Sequence, residues 1–388
     1  MSGIDPAYSG ATTVARRKGE EAKAPPKFRP VDLDAFPDVD ALLTRLGAGA
    51  FVRDSVSAPV GRNHVWAGDT ESGRRVFVKR LVGPETDVKA RMRRLLSFED
   101  FVGSVAGLAG HVPSLLGHDE AARLVVFGHI DARNGAELMV DETFGAEPAF
   151  AAGRAIGSLH AAAPEGDLDD SLPSLPEPAL LYGMPLAMYN ELSFAELEAW
   201  RLMQQDAALR EALETLQRWE KAAPRVPSHC DFRVDQLLVT GDGLTIVTDW
   251  EEFRLADPAR DVGSFAGEWL YRSILDIVTT RGDGDSAFLD LELTHDQILA
   301  RGTEKMERLL PLVHHFWRGY RTVRSELDAG FGARATAFAG WHLLDRLVAG
   351  AAQSQRLSGI ERAAAGVGRG ALLTPLKFAP LLGFEATP

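Results

Sequence analysis

Three polar side chains in the 388-residue sequence have types and spacing that suit chemistry: Asp231, Gln236 and Asp249. Two short β-rich runs joined by Gly241-Asp242-Gly243 lie between Gln236 and Asp249, which predicts a tight hairpin. Such acidic residues also occur as ordinary turn and cap residues. However, a carboxylate on each side of a hairpin, with an amide oxygen beside the first, can accept a proton and bind a hard divalent cation.

The stretch from His229 to Glu251 reads His-Cys-Asp-Phe-Arg-Val-Asp-Gln, then the hairpin, then Asp-Trp-Glu. It resembles the catalytic region of the aminoglycoside phosphotransferase and choline kinase-like superfamily, relatives of protein kinases. There, H-G-D-x-x-x-x-N precedes a hairpin and D-W-E or D-F-E, and residues 257–261 resemble the continuation. The resemblance implies an α+β, two-lobed protein-kinase-like fold, with a small antiparallel β-rich N-lobe and a large helical C-lobe.

The resemblance also implies an ATP-dependent phosphotransferase that uses ATP and Mg²⁺. Asp231 is then the catalytic residue that accepts the proton of the attacking hydroxyl or orients it, while Asp249 and Gln236 are metal ligands. Gln236 stands where the family has Asn, and a misplacement of about 1 Å can lower a rate about 100-fold unless the loop adjusts. Cys230 replaces the usual Gly, and the neighbouring Asp231 predicts a raised thiol pKa.

Lys79 ends the run Val-Phe-Val-Lys, which resembles the strand whose lysine contacts the nucleotide phosphates. A strand lysine is more often a surface residue. Glu99, twenty residues later on a predicted helix over 87–108, is the expected ion-pair partner of Lys79, and Glu85 is the competing candidate. The sequence therefore predicts that Lys79 and Glu99 belong to the nucleotide site.

Two further segments are expected at the nucleotide. Residues 59–63 contain one glycine, Gly61, and Asn63, and their backbone N–H groups are expected over the phosphates. Residues 127–130 fall where the resembled family has the hinge that receives adenine, which places Phe127 and His129 near the base. An exposed hinge side chain is the alternative for His129.

The chain divides by pattern into three parts. Residues 1–30 lack apolar periodicity and are predicted to be a disordered tail, with a docking arm around Arg16-Arg17-Lys18 as the alternative. Residues 31–130 are predicted to form the nucleotide-binding N-lobe, and residues 131–388 the helical C-lobe with the catalytic loop and metal site. Predicted N-lobe elements are a helix over 38–46 and strands over 51–58, 64–68, 75–81, 112–117 and 123–127.

In the third part, His160 is expected to pack below the catalytic loop, and Asp261 is expected to cap a helix and brace that loop. The acidic residues between 191 and 214 suit a solvated helix face better than a cleft for a cationic substrate. A charged loop is predicted over 281–297. Two long helices are predicted after it, one over 306–320 and one over 338–348, before an irregular apolar stretch over 371–388.

The composition excludes several classes of protein. The net charge of −13 argues against nucleic-acid binding, which depends on clustered Lys and Arg. No apolar run is long enough for a membrane span, and no signal peptide is expected. The single cysteine, Cys230, favours a reducing cytoplasm. We therefore expect a cytoplasmic enzyme without nucleic-acid or membrane partners.

Three functions compete. The first is transfer of phosphate to a hydroxyl of a small molecule, an amino-alcohol or an aminoglycoside-like compound. The second is a Ser/Thr kinase of a ribosomally made precursor peptide, as in lanthipeptide or thioamitide-type biosynthesis, which works with a separate partner lyase. The third is a non-catalytic pseudokinase scaffold. The joint presence of Lys79, Asp231 and Asp249 argues against the third.

Overall fold

The computed structural model describes residues 30–173, 175–279, 293–352 and 354–384. The strands in these ranges are β1 (His64–Asp69), β2 (Arg75–Arg80), β3 (Leu115–Asp119), β4 (Leu124–Gly128), β5 (Ala132–Asn134), β6 (Val226–Ser228), β7 (Leu237–Thr240), β8 (Thr245–Val247) and β9 (Arg254–Ala256). The helices are α1 (Pro37–Arg45), α2 (Glu85–Val102), α3 (Gly135–Val140), α4 (Ala146–Ala161), α5 (Leu186–Glu191), α6 (Phe194–Gln205), α7 (Ala207–Ala222), α8 (Ala259–Leu275), α9 (His295–Leu309), α10 (Pro311–Val323), α11 (Phe331–Ala351), α12 (Gly359–Leu373) and α13 (Pro375–Phe378).

The first four strands form an antiparallel sheet in the order β1-β2-β4-β3. Side chains alternate along β2, so Val76 and Val78 enter an apolar core with α1 while Phe77 and Lys79 line a cleft on the opposite side. Helix α2 packs on the sheet around Val125 of β4 through three buried side chains, Val88, Met92 and Leu95. The sheet thus presents Lys79 to the cleft from a rigid strand.

The helical part is built on close helix pairs. Helix α4 packs along α10, α8 packs along α11, and α11 packs along α12. Glycines permit the first contact, because a Cβ on Gly153 would lie 2.0 Å from the carbonyl oxygen of Phe316, and one on Gly319 would lie 2.1 Å from that of Phe150. One of these helices, α8, contacts the loop between β6 and β7 through Asp261.

Two small sheets hold the stretch that contains Asp231. Strands β7 and β8 form the predicted hairpin, with Leu237 opposite Val247, and β5 adds a third strand. Strand β6 pairs with β9. The segment between β6 and β7 is therefore anchored at both ends, and one residue, Thr248, separates β8 from Asp249.

This arrangement confirms the predicted α+β, two-lobed protein-kinase-like fold. The predicted helix near residues 38–46, the predicted strands near 64–68, 75–81, 112–117 and 123–127, and the helix over 338–348 are all present, with bounds shifted by a few residues.

The predicted strand over 51–58 is wrong. A 3₁₀ turn at Arg53–Ser55 occupies its middle, and single bridges join Phe51 to Thr70 and Ser57 to Ala67 on either side. The guanidinium of Arg53 pairs with Asp34 and Asp40, which holds this polar turn away from a regular ladder.

Three helix predictions also need correction. Helix α2 ends at Val102, before the predicted end at residue 108, and Gly103 follows it. The helix predicted over 306–320 is broken into α9 and α10 at Pro311, which has no N–H to donate within a helix. Most of residues 371–382 are helical instead of irregular, because Pro375 and Pro380 fall in first turns, where proline is tolerated, while residues 385–388 of the predicted irregular stretch lie outside the described residues.

The predicted disordered tail, apart from residue 30, lies outside the described residues, and so do residues 280–292, which contain most of the predicted charged loop. No helix in the described ranges is both long and apolar enough to cross a membrane.

Candidate active site

The loop between β6 and β7 is held from below by Asp261, in the first turn of α8. The buried carboxylate of Asp261 accepts hydrogen bonds from the backbone N–H groups of His229 (2.7 Å) and Cys230 (2.8 Å). It also forms a hydrogen bond of 3.0 Å with Nε2 of His160. The other ring nitrogen of His160, Nδ1, forms a hydrogen bond of 3.0 Å with the hydroxyl of Tyr320. Burial opposes ionisation of Asp261, but its partners outweigh burial and lower its pKa. The structure therefore confirms the roles predicted for His160 and Asp261 below the loop. The predicted helix cap is wrong, because the N-cap of α8 is Pro258 and the Asp261 carboxylate accepts from the loop instead of from its own helix.

Cys230 shows why glycine is usual at its position. Its φ is 66°, in the left-handed region that favours glycine. A cysteine there costs about 1 kcal/mol of backbone strain. Burial, together with the nearby Asp261 carboxylate, raises the pKa of the thiol well above its usual value. The predicted direction of the shift is confirmed, although its causes are burial and Asp261 and not the neighbouring Asp231, and the thiol is protonated and unreactive near neutral pH.

Asp231 follows Cys230 and faces the cleft. Its side chain remains 40% exposed, so a substrate can reach it. Its surroundings raise the pKa of Asp231 to about 7, mainly because the walls of the cleft remove part of the water around the carboxylate. The neighbouring charges of Asp249 and Asp235 act in the same direction, whereas Arg233 acts against it. A carboxyl that titrates near neutrality can both accept and release a proton at the pH of a cell.

Lys79 and Asp249 meet across the cleft from opposite lobes. Nζ of Lys79 donates to Oδ1 of Asp249 and lies 3.0 Å from Oε2 of Glu251. Burial disfavours the charged amine, but these two carboxylates outweigh burial and raise the pKa of Lys79. Burial likewise opposes the charge of Asp249, and Lys79 overcomes it and lowers that pKa. Both groups are therefore charged, and this pair joins the two lobes.

Glu251 connects Lys79 to helix α2. Its carboxylate accepts from Nδ2 of Asn63 at 3.2 Å and from Nη1 of Arg91 at 3.1 Å. Its backbone oxygen accepts from Nε of Arg94 at 2.9 Å. Neither arginine was predicted from the sequence to take part in the site. The sequence pattern could have indicated them, because two arginines lie three residues apart on the apolar face of the helix, where a buried cation needs an acidic partner.

Glu99 was expected from the sequence to pair with Lys79, and this prediction is wrong. Among the described residues, the ion-pair partners of Lys79 are Asp249 and Glu251, and these two carboxylates already flank the amine. Glu99 lies in the cleft wall, where burial and the neighbouring Asp100 raise its pKa to about 7. The competing candidate Glu85 instead pairs with Lys89 on the same helix at 2.6 Å.

The cleft between the lobes has a volume of about 780 Å³. Nine residues that the sequence placed at the catalytic, metal and nucleotide sites line it: Gly61, Asn63, Lys79, Glu99, Phe127, His129, Asp231, Gln236 and Asp249. A larger groove of about 1030 Å³ lies along α2, and none of these nine residues lines it. The chemistry-bearing side chains therefore share one cavity.

Asn63 and His129, which were expected at the nucleotide, have hydrogen-bond partners within the protein. Oδ1 of Asn63 accepts from the backbone N–H of Val82 at 3.1 Å, so this side chain links the loop before β1 to the end of β2. The backbone N–H of His129 donates to the carbonyl oxygen of Arg75 at 3.1 Å. Contacts from Asn63 and His129 to a nucleotide stay predictions.

Residues 60–294, more than half of the chain, match the model of the phosphotransferase enzyme family (APH). The chain belongs to this family. Membership confirms the resemblance drawn from residues 229–261. No curated protein matches the sequence.

Solved structures similar to this phosphotransferase-family protein are distant in sequence. Choline kinase LicA from Streptococcus pneumoniae is 12% identical, with 88% of this chain and 99% of that chain covered and a TM-score of 0.49. A putative fructosamine-3-kinase from Thermobifida fusca YX-ER1 is 18% identical, with 86% and 98% covered and a TM-score of 0.46. A choline/ethanolamine kinase family protein from Mesorhizobium loti is 18% identical, with 90% and 97% covered and a TM-score of 0.47.

The cleft of this family member suits Mg²⁺ that arrives with a nucleotide. Asp249 offers an ionised carboxylate, and the buried Gln236 lines the same wall with an amide. No cluster of three or more His, Cys, Asp or Glu residues in the described ranges could hold a metal by itself. Mg²⁺ commonly takes only one or two protein ligands and completes its shell with phosphates and water, so the residues present fit it.

The backbone of Gln236 is fixed although its side chain is one methylene longer than Asn. Its N–H donates to the carbonyl oxygen of Arg233 at 3.0 Å, and its own carbonyl oxygen accepts from the N–H and the hydroxyl of Thr248 at 2.9 and 3.0 Å. Thr248 directly precedes Asp249. These bonds tie the two expected metal ligands to each other through the backbone.

Proposed function

We propose that the chain transfers the γ-phosphate of ATP to a hydroxyl of a small molecule, an amino-alcohol or an aminoglycoside-like compound. The observation that supports this most is the meeting of Lys79, Asp231 and Asp249 in one cleft, although they come from both lobes. Phosphoryl transfer needs little covalent help from a protein and depends on positioning and charge, which these side chains supply.

The nucleotide would bind through the small lobe, for which we propose residues 31–130. Phe127 and His129 would lie beside the adenine, and the loop with Gly61 over the phosphates. Lys79 would exchange its contact with Asp249 for the phosphates, and Glu251 would keep it in place. Asp249 and Gln236 would hold Mg²⁺, which when bound neutralises charge on the phosphates.

The acceptor would bind on the side of the large lobe, residues 131–388. Its hydroxyl oxygen forms the new bond to the γ-phosphorus, the bond to the bridging oxygen of ADP breaks, and ADP leaves with the electron pair. Asp231 takes the hydroxyl proton. A base with a pKa of about 7 is half ionised at neutral pH, close to the best compromise between availability and strength.

Thermal denaturation in the presence of ATP or GTP with Mg²⁺ is the first test. A ligand that binds only the folded state raises the melting temperature by mass action. Formation of ADP is then measured with amino-alcohols, aminoglycosides and Ser- or Thr-containing peptides as acceptors. We expect a thermal shift with ATP and turnover with a small alcohol. Turnover with peptides alone would replace the proposed acceptor class, and no shift with either nucleotide would contradict the proposal.

A further inference from the structure

Arg233, two residues after Asp231, lies between two carboxylates of its own loop. Nε of Arg233 is 3.1 Å from Oδ1 of Asp231, and Nη2 donates to Oδ2 of the same carboxylate at 3.3 Å. Nη1 is 3.3 Å from Oδ2 of Asp235. The guanidinium thus contacts both oxygens of Asp231 and a second acid with its remaining nitrogen, and its side chain is only 20% exposed.

The second acid is itself fixed. The backbone oxygen of Asp235 accepts from Nδ2 of Asn134 at 2.7 Å, and Oδ1 of Asn134 accepts from Ala136 in the first turn of α3. Asp235 therefore sits on a loop that is tied to the helix after β5. The guanidinium of Arg233 is held between two anchored positions.

We propose that Arg233 is a positioning residue for Asp231, and that Asp235 acts as the brace that holds Arg233 in place. This rests on the proposed function, in which Asp231 receives the proton of the acceptor. One N–H of Arg233 donates to Asp231, and a second guanidinium nitrogen lies 3.1 Å from the other carboxylate oxygen. A planar guanidinium beside both oxygens restrains the orientation of a carboxylate more than a single point charge does. Arg233 thereby aims Asp231 at the hydroxyl before substrate arrives.

Arg233 also acts on the charge of Asp231. Four charged side chains face this carboxylate: Arg233 and Arg346 favour its ionised form, whereas Asp249 and Asp235 disfavour it. Removing Arg233 is therefore expected to raise the pKa of Asp231, and removing the charge of Asp235 is expected to lower it. A purely structural role for Arg233 predicts no such pair of opposite shifts.

Four variants separate orientation from charge. Arg233→Gln removes both, Arg233→Lys keeps a charge but loses the planar fork, and Asp235→Asn removes the brace charge. Arg45→Gln is the matched control, because Arg45 pairs with Asp119 on the small lobe, away from the cleft. Melting temperatures of all variants show which of them remain folded.

The first measurement is the single-turnover rate across a pH series that brackets neutrality. For Arg233→Gln we expect the midpoint of the profile to move up by about one pH unit, and for Asp235→Asn to move down. Arg233→Lys should keep the midpoint near that of the wild type but lower the plateau about 10-fold or more, because a misaimed group reacts slowly. Arg45→Gln should change neither. Midpoints that stay fixed, or that move in the same direction, would overturn the proposal.

The second measurement needs no turnover. The carboxyl carbon of Asp231 is followed by ¹³C NMR in protein labelled at aspartate, and its signal is assigned by its loss in Asp231→Asn. We expect its midpoint to rise in Arg233→Gln. An unchanged midpoint would overturn the role of Arg233 whether or not the enzyme is active. A raised midpoint in a protein that transfers no phosphate would instead contradict the proposed function alone.

Discussion

Lys79 and Glu251 lie 3.0 Å apart, although one comes from a strand of the small lobe and the other from the turn that follows Asp249. Glu251 also binds Arg91, which is fully buried in α2. One carboxylate therefore fixes the lysine expected at the phosphates and joins it to the neighbouring helix. Glu251, and not the expected Glu99, is therefore the glutamate that pairs with Lys79.

Glu251→Gln is expected to lower the free energy of unfolding by about 2 kcal/mol, because it removes a carboxylate that pairs with both Lys79 and the buried Arg91, although Asp249 and Asp87 remain as partners. Glu99→Gln is the matched change on a carboxyl without an ion pair among the described residues, and we expect an effect within about 0.5 kcal/mol. Chemical denaturation of both variants provides the measurement. The assignment fails if the two losses are equal or their order is reversed.

The sequence predicted Lys79, Asp231 and Asp249 because short-range patterns surround each of them. The partner of Lys79 was not predictable in the same way. Several carboxylates were candidates, and the choice between Glu99 and Glu251 depends on how α2 and the turn after β8 pack, which spacing along the chain does not encode. The misplaced strand over 51–58 has a similar cause, since ion pairs of Arg53 with distant acids hold that turn.

Gln236→Asn is expected to reduce the rate of phosphoryl transfer. Backbone bonds to Arg233 and Thr248 hold the backbone of Gln236 in place, so a side chain one methylene shorter would draw its amide oxygen away from the metal. Single-turnover rates across a Mg²⁺ titration test this. A faster Gln236→Asn variant would contradict this, because it would show that Gln236 impairs the metal site instead of serving it.

The transfer rate should rise with pH and reach half its plateau near pH 7, because the active form of Asp231 is the carboxylate and the pKa of this residue is raised to about 7. The measurement is the single-turnover rate at saturating nucleotide over a pH series. A flat profile across neutrality would mean that proton transfer to Asp231 does not limit the reaction.

Asp231 should also weaken the fold above neutral pH. Its pKa in the folded protein, about 7, exceeds the ordinary value of 3.8, so the folded state binds the proton more tightly and stability falls as pH rises between these values. Asp231→Asn removes this penalty. We therefore expect the variant to melt at a higher temperature than the wild type above pH 7, as shown by calorimetry. A lower melting temperature there would argue against a strained, functional carboxylate.

The most direct test of the central claim compares Asp231→Asn with Asp249→Asn in paired measurements of nucleotide affinity and transfer rate. If Asp231 accepts the proton and Asp249 binds the metal, Asp231→Asn should slow transfer about 100-fold or more while ATP affinity changes little. Asp249→Asn should weaken the Mg²⁺-dependent binding of ATP as well as the rate. Small and equal effects of the two substitutions on both quantities would contradict the assignment of the site.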